Sequence, residues 1–175
     1  MFHYDIIMDL VKIVKESFAK AEKRTSKITN DIFVIDGYSG VKTRHFYNNL
    51  CSYNDTRYLE IGTWKGSTLC SAMCNNCIKC TAIDNFSEII KKNTDINDIK
   101  QTLLKNIEQF KGKNQINFIN HDSFDIEHIK TKLHPEGYNI FLYDGEHSYE
   151  SHYNILKYYM SHLTNIFIYI IDDWN

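Results

Sequence analysis

Four short apolar runs in this sequence each carry an acidic residue at or near their end. The first run reads YLEIG at residues 58–62, and the others end at Asp84, at Asp144 and at the pair Asp172 and Asp173. Runs of this length and composition are typical of buried parallel strands. Ligands of open α/β sheets bind outside the carboxyl ends of the strands, so the acidic residues indicate a site that handles hydroxyl groups or cations.

Helical patterns separate these runs. Strands are predicted at residues 57–61, 79–83, 115–119, 139–143 and 166–171. Helices are predicted over the first two dozen residues, at 43–51, from 67 or 68 to about 75, at 96–110 and at 125–133. A further helix is predicted from a buried stripe of Tyr149, Tyr153, Leu156, Met160 and Leu163. The alternation predicts an α/β Rossmann-like fold, a doubly wound parallel sheet of about five strands with helices on both faces.

The length of 175 residues fits one structural domain, with residues 1–50 as a helical extension that packs on a core of residues 51–175. A net charge of -2 and 43% hydrophobic residues indicate neither a disordered chain nor a nucleic-acid binder. No apolar run approaches the roughly 20 residues of a membrane-spanning helix, and residues 2–14 do not resemble an export signal. We therefore expect a cytoplasmic protein without membrane or nucleic-acid partners, in which the five cysteines are reduced thiols.

A glycine-containing loop follows the first strand. Gly62 and Gly66 lie in G-x-x-x-G spacing, directly before a predicted helix that begins near Ser67. Glycines permit a tight turn and the close approach of a ligand. Asp84 ends the next strand 22 residues after Gly62, near the offset at which an acidic residue binds ribose hydroxyls. The combination predicts an adenosine-containing ligand, and the glycine spacing disfavours a nicotinamide-dependent dehydrogenase, whose motif is G-x-G-x-x-G.

These motifs resemble those of class I S-adenosylmethionine-dependent methyltransferases of the small-molecule O-methyltransferase-like group. The resemblance extends from about residue 40 to residue 175. It is carried by YLEIGTWKGST at 58–68, AIDN at 82–85, NHDS at 120–123, FLYDGEHSY at 141–149 and YIIDDWN at 169–175. It implies an S-adenosylmethionine cofactor and methyl transfer to the hydroxyl of a small molecule or sugar.

The resemblance also implies roles for individual residues. It assigns Glu60, Gly62 and Gly66 to the methionine part of the cofactor, Asp84 to the ribose, Asp122 and Ser123 to the adenine, and Asp144 to the region of the sulfonium. The predicted cofactor site is completed by Thr63, Trp64, Ser67 and Asn85. Trp64 and Trp174 lie in loops around this site, where their rings can stack on a ligand or pack against the protein.

Transfer of a methyl group to oxygen requires a well-positioned, deprotonated acceptor. Asp144, Asp172 and Asp173 offer oxygen ligands for Mg²⁺, which would lower the pKa of an acceptor hydroxyl. Metal-dependent O-methyltransferases carry an acidic residue followed by an amide after the fifth strand, so Asp173 departs from that pattern. His147, three residues after Asp144, is the alternative as general base. Acidic residues at strand ends also cap helices, which is the structural alternative for each aspartate.

Other interpretations stay open. Cys70, Cys74 and Cys77 have the C-x₃-C-x₂-C spacing of an iron-sulfur motif, with Cys80 as a fourth thiol, although cysteines in a helix also pack well in a core. The histidines other than His147 show no pattern that indicates a role.

The sequence ends with the fifth strand, without the C-terminal hairpin of a seven-stranded class I sheet. The exposed edge predicts pairing with a partner chain or a homo-oligomer. The alternative function is a catalytically inactive S-adenosylmethionine-binding module, or a methyltransferase that a partner chain completes.

Overall fold

The structure of the protein is a computed structural model that describes residues 2–87 and 95–173, with side chains described from residue 9 onward within these ranges. The α-helices with described bounds are α1 (Phe2–Glu22), α2 (Val41–Leu50), α3 (Ser67–Met73), α4 (Ile96–Phe110), α5 (Ile126–Ile129) and α6 (Tyr149–Tyr159). The strands are β1 (Arg57–Ile61), β2 (Lys79–Ile83), β3 (Gln115–Ile119), β4 (Tyr138–Tyr143) and β5 (Leu163–Ile171). Short 3₁₀ helices lie at Asn30–Val34, Lys130–Lys132 and Met160–His162.

The five strands form one sheet in the order β3-β2-β1-β4-β5, and every pairing is parallel. Ile61, the last residue of β1, pairs with Ile83 at the end of β2 and with Tyr143 at the end of β4. The loops after these three strands therefore leave the sheet at the same edge. The strand order reverses between β1 and β4, which is the switch point where open α/β sheets bind their ligands.

Two apolar layers enclose the sheet, because successive strand residues point to opposite faces. One layer joins Tyr58 of β1 and Ala82 of β2 to residues of α2, α3 and α4. The other joins Leu59 of β1 and Phe141 of β4 to residues of α5 and α6. The predicted Rossmann-like fold of five parallel strands with helices on both faces is confirmed.

Most predicted element bounds agree with the structure. The bounds of β1, β2 and β3 are as predicted, and β4 and β5 begin earlier, at Tyr138 and Leu163. The helix predicted at residues 125–133 is a single α-helical turn followed by a 3₁₀ helix. Asp125 caps this turn by accepting a hydrogen bond from the His128 amide, which is the usual function of an aspartate at a helix start.

The buried stripe predicted for α6 is wrong. Tyr149, Tyr153 and Met160 are 75%, 66% and 50% exposed. The buried residues of the helix are Ser151, Ile155 and Tyr159. Tyr159 packs on the sheet with its ring centroid 5.6 Å from that of Phe141. Four residues of the predicted stripe instead line a groove of about 950 Å³ between α6 and β5, namely Tyr149, Tyr153, Leu156 and Met160. Helical periodicity identifies an apolar face but not the element that covers it.

Helix α1 packs against α2 and also contacts β5. The ring centroids of Phe18 in α1 and Phe46 in α2 lie 6.5 Å apart, although Phe18 remains 60% exposed. The predicted boundary at residue 50 between extension and core stays a prediction. In the ranges that the structure describes, no helix has both the length and the apolar composition that crossing a membrane requires.

Candidate functional site

A cleft of about 740 Å³ lies at the carboxyl ends of β1, β2 and β4. Predicted site residues that line it are Gly62, Thr63, Trp64, Ser67, Asp84, Asn85, Asp122, Ser123, Asp144, His147, Asp172 and Asp173. Glu60 and Gly66 do not line the cleft, and Trp174 lies outside the described residues. The cleft falls within the size range of small-molecule and cofactor sites.

Gly62 forms the bend between β1 and the cleft. Its φ is +87°, and a Cβ atom built on it would lie 1.8 Å from the carbonyl oxygen of Asp144. Its amide donates to the Ile83 carbonyl at 3.0 Å. The bend is therefore fixed between the ends of β4 and β2, and only glycine fits both the space and the backbone conformation.

Glu60 lies behind the wall of the cleft and is fully buried. Its carboxylate accepts hydrogen bonds from the hydroxyl of Tyr58 at 2.6 Å and from that of Thr68 at 2.8 Å. Burial raises the pKa of Glu60 to about 7, although these hydrogen bonds oppose the shift. Glu60 thus ties β1 to α3 and supports the glycine loop between them from behind. The sequence analysis did not predict that Tyr58 and Thr68 are the hydrogen-bond partners of Glu60. Tyr58 could have been a candidate, because it lies two residues before Glu60 on the same face of the strand.

Gly66 begins the turn into α3. It has a φ of +83°, and a Cβ atom on it would lie 2.8 Å from a methyl carbon of Leu103 in α4. Its amide donates to the Thr63 carbonyl at 2.8 Å. Gly66 therefore shapes the loop and lets α4 approach, whereas Ser67, the first residue of α3, reaches the cleft.

Asp84 connects two loops at the centre of the cleft. Its Oδ2 accepts a hydrogen bond from the amide of Trp64 at 2.7 Å, and its Oδ1 accepts one from the amide of Phe86 at 2.6 Å. Trp64 has a φ of +46°, so this contact holds the glycine loop in a conformation that side chains rarely adopt. Burial raises the pKa of Asp84, and backbone hydrogen bonds from Trp64, Phe86 and Thr63 oppose that effect. The carboxylate also lines the cleft.

The loop after β3 carries the residues predicted to flank an adenine. Asp122 is exposed, and its Oδ1 accepts a hydrogen bond from the Phe124 amide at 2.9 Å. The Ser123 carbonyl accepts one from the Tyr159 hydroxyl at 2.8 Å, so α6 anchors this loop. Asn85 lies on the neighbouring loop after β2. These residues form the rim of the cleft rather than its floor.

Four titratable residues meet at the other end of the cleft. Burial, followed by the charges of Asp172 and Glu60, raises the pKa of Asp144 to about 8. His147 lies between two aspartates, with Nε2 3.8 Å from Asp144 Oδ1 and Nδ1 3.8 Å from Asp173 Oδ2. These separations suit ion pairing but exceed hydrogen-bond length. A histidine in this position can serve as a general base.

The donor chemistry of Asp144, Asp172 and Asp173 fits Mg²⁺, but their spacing does not. Although all three line the cleft, their carboxylate oxygens are not all within 4.8 Å of one another. Among the described side chains, the group of three histidine, cysteine or acidic residues that meets this spacing is His121, Asp125 and His128. The Mg²⁺ site therefore stays a prediction.

The structure gives no support to an iron-sulfur site. Cys70, Cys74 and Cys80 are buried and Cys77 is exposed. In the part of the chain that is described, no cysteine joins a group of three metal-ligating side chains. Burial raises the pKa of Cys70 and of Cys80, so both are packed thiols in the core.

Residues 38–40 form a wall of the cleft that the sequence analysis did not predict. The ring of Tyr38 stacks on that of Trp64, with centroids 5.3 Å apart and planes 18° apart. The hydroxyl of Ser39 lies 3.1 Å from that of Ser67. The composition of this segment predicts a turn, but no local pattern predicts its contact with the glycine loop.

Tyr47 of α2 is another residue without a signal in the sequence. It is 3% exposed, and its pKa is raised by burial, then by the charges of Asp172 and Glu60. Helix α2 therefore brings an aromatic side chain into the electrostatic surroundings of the acidic end of the cleft.

The structure has a glycine bend after β1, a carboxylate at the end of β2 and a cleft at the switch point of the sheet. This combination is typical of Rossmann-like proteins that bind a nucleotide-type cofactor. The family model described as a methyltransferase domain matches residues 59–174. The chain belongs to this family of methyltransferase domains. A search of curated proteins found no significant match.

Solved structures of methyltransferases share the fold. The O-methyltransferase TomG from Streptomyces achromogenes, determined in complex with SAM, matches 89% of this chain with a TM-score of 0.53 and 11% identity. The SAH-bound Podospora anserina methyltransferase PaMTH1 matches 91% of it, with a TM-score of 0.53 and 11% identity. This chain spans 64% of the TomG chain and 61% of the PaMTH1 chain. At such low identity the similarity shows the fold alone.

Proposed function

We propose that this protein is an S-adenosylmethionine-dependent methyltransferase that acts on the hydroxyl of a small molecule or sugar. The observation that carries the proposal is the convergence of Gly62, Asp84 and Asp144 on one cleft, in a chain of a methyltransferase-domain family. Support for the cofactor comes from TomG, determined with SAM, and from PaMTH1, determined with SAH.

In this proposal the adenosine part of the cofactor lies between the loops after β2 and β3. Asp84, whose carboxylate lines the cleft, accepts hydrogen bonds from the ribose hydroxyls. Asp122 and Ser123 flank the adenine at the rim. The methionine part lies along Gly62 and Ser67, and its sulfonium points toward Asp144.

Bound S-adenosylmethionine supplies an electrophilic methyl carbon attached to a positively charged sulfur. His147 would accept the proton of the acceptor hydroxyl, so that the acceptor oxygen can take the methyl group that S-adenosylmethionine supplies. Asp144 and Asp173, each 3.8 Å from a nitrogen of His147, would orient the imidazole and stabilise its positive charge.

Mg²⁺ assistance is the second device in the proposal, and it requires the carboxylates of Asp144, Asp172 and Asp173 to move closer together than they are in the structure. A divalent cation held by them would lower the pKa of the acceptor hydroxyl. It would also offset the charge of Asp172, which raises the pKa of Asp144 in addition to burial. Loss of turnover on chelation, restored by added Mg²⁺, supports this device. Turnover that is insensitive to chelator leaves His147 as the base.

Calorimetric titration with S-adenosylhomocysteine tests the cofactor assignment. We expect binding of S-adenosylhomocysteine and none of NAD. Asp84→Ala should weaken binding by about 1 to 3 kcal/mol, because buried ribose hydroxyls lose their partner. Asp55→Ala, which removes a carboxylate before β1 at the opposite end of the strand, is the matched control. Unchanged affinity in Asp84→Ala would remove Asp84 from the ribose site.

Turnover separates the enzyme from the alternative of an inactive cofactor-binding module. The assay measures S-adenosylhomocysteine formed with a panel of phenols, sugars and amines. Turnover with hydroxyl acceptors that His147→Ala abolishes supports the proposal. Cofactor binding without turnover on any acceptor favours the module, or a methyltransferase that a partner chain completes.

A further inference from the structure

His121, Asp125 and His128 form a compact cluster after β3, outside the residues that the proposed reaction uses. His121 Nε2 lies 2.9 Å from Asp125 Oδ2. The rings of His121 and His128 stack with centroids 4.0 Å apart and planes 20° apart. One potential ligand atom from each residue lies within 4.8 Å of the others. The loop and the single turn of α5 thus bring two imidazoles and a carboxylate to one point.

We propose that this cluster binds a divalent transition-metal ion of the Zn²⁺ class. Imidazole nitrogen and carboxylate oxygen are the donors that Zn²⁺, Ni²⁺ and Cu²⁺ prefer, whereas Mg²⁺ requires oxygen ligands. Ligands about 2.0 to 2.2 Å from Zn²⁺ in a tetrahedral site lie roughly 3.5 Å apart. His121 Nε2 and Asp125 Oδ2 are already 2.9 Å apart. Because Asp125 and His128 are exposed, their side chains can rotate to adjust these separations to the metal ion.

Lys132 competes with the metal ion for His128. Its Nζ lies 3.1 Å from His128 Nε2. An ammonium group in this position donates to a nitrogen that could ligate the metal, and it also repels a dication. Lys132 must therefore turn away when the ion binds. This requirement makes a specific prediction, because removal of the lysine side chain should strengthen binding rather than weaken it.

The cluster also lies beside the cleft. His121 lines the cleft together with Asp122 and Ser123. An ion shared by His121 and His128 would fix the loop after β3 to α5, at the end of the cleft away from His147. The proposed ion is therefore separate from the Mg²⁺ ion considered for the acidic end, and its binding does not depend on methyl transfer.

The test uses the full chain without a histidine tag, freed of metal by chelation and titrated with Zn²⁺ by calorimetry and with Co²⁺ by visible absorption. We expect one equivalent to bind, with a Co²⁺ spectrum that shows nitrogen ligation. His121→Ala and His128→Ala should each weaken binding at least about tenfold. Lys132→Ala should strengthen it several-fold. His134→Ala, a histidine outside the cluster, and Asp144→Asn should bind like the parent chain.

Three results would overturn the proposal: no binding of either metal ion to the parent chain, equal affinity in the His121→Ala and His128→Ala double variant, or loss of binding in Asp144→Asn instead. Circular dichroism of each metal-free variant shows whether it is folded. If a histidine variant does not fold, Lys132→Ala decides the question, because unchanged or weaker binding in this variant contradicts the proposed geometry.

Discussion

The two sides of the cleft are held in different ways. On one side, four of the five residues of β1 are buried, and the carboxylates of Glu60 and Asp84 are held by hydrogen bonds within the protein. On the other side, none of the nine residues of β5 is buried, and the side chain of Asp173 is 65% exposed. The β1–β2 side is therefore fixed by packing, whereas the side formed by β5 and Asp173 is more open.

This difference agrees with the proposed function, in which one side of the cleft binds the cofactor and the other side binds the acceptor. A cofactor with a constant structure can be bound by a preformed wall, which lowers the entropy cost of binding. The acidic end, where an acceptor would react, includes the exposed Asp173 and lies beside β5, none of whose residues is buried. Changes to the β1–β2 side should therefore cost much more stability than changes to the outer face of α6.

The largest expected effect comes from Gly62→Ala. A Cβ atom at this position would overlap the Asp144 carbonyl at 1.8 Å, and alanine would be strained at a φ of +87°. Backbone strain and overpacking together predict a loss of about 4 kcal/mol in the free energy of unfolding. Urea unfolding measures it.

Gly40→Ala is the matched control for this change. The nearest atom to a Cβ there is the Thr43 hydroxyl at 3.8 Å, so we expect a change of less than about 1 kcal/mol. Equal losses in the two variants would show that the bend at Gly62 is not a tightly packed position.

The tight packing at Gly62 could be anticipated from the sequence, because the residue follows an apolar run and precedes a helix. The same reasoning placed Asp84 and Asp144 at strand ends, where the structure has them. Strand periodicity and strand-end chemistry are local signals, and they predict at which edge of the sheet a ligand binds. They do not predict which side chains lie behind the wall, and the burial of Glu60 became visible only in the structure.

Ile155→Ala tests the inner face of α6. Ile155 is fully buried in the layer that contains Phe141. Removing its side chain leaves a cavity against the sheet, so we expect a loss of 2 to 5 kcal/mol, about 3 kcal/mol being typical. Thermal and urea unfolding measure this loss. A loss below about 1 kcal/mol would mean that the inner face of α6, which packs on the sheet, contributes as little to stability as its exposed outer face.

Glu60→Gln tests the burial of charge on the β1–β2 side. The pKa of Glu60 rises from 4.5 to about 7 on folding, which corresponds to about 3 kcal/mol. Between these pH values the folded state holds a proton that the unfolded state has lost. The contribution of Glu60 to the free energy of unfolding therefore falls as pH rises from about 4.5 to about 7. Above about pH 7 this contribution no longer changes with pH.

The measurement is urea unfolding of the parent chain and of Glu60→Gln across this pH range. Relative to the variant, the parent should lose at most about 3 kcal/mol as pH rises, because glutamine has no charge to desolvate. Carbon NMR of the Glu60 carboxyl provides an independent titration. A stability difference that does not change with pH would show that the Glu60 charge is compensated in the folded state.

The predicted stripe of α6 shows where sequence reasoning reaches its limit. The spacing of Tyr149, Tyr153, Leu156 and Met160 is truly helical, yet the stripe faces a groove rather than the sheet. Periodicity specifies a face, and only the position of β5 decides what that face meets. The cluster at His121 was missed for a related reason, since its three residues span a loop and a helical turn whose geometry no spacing rule defines.

Tyr153→Ser is expected to have the smallest effect. Tyr153 is 66% exposed, and its ring stacks on that of Tyr149, with centroids 6.2 Å apart. Serine and tyrosine have similar helix propensities, so the free energy of unfolding should change by less than about 0.5 kcal/mol. Urea unfolding at two protein concentrations measures it. A loss above about 1 kcal/mol that grows with concentration would show that a second copy covers this face, which would remove the contrast between the closed and open sides of the cleft.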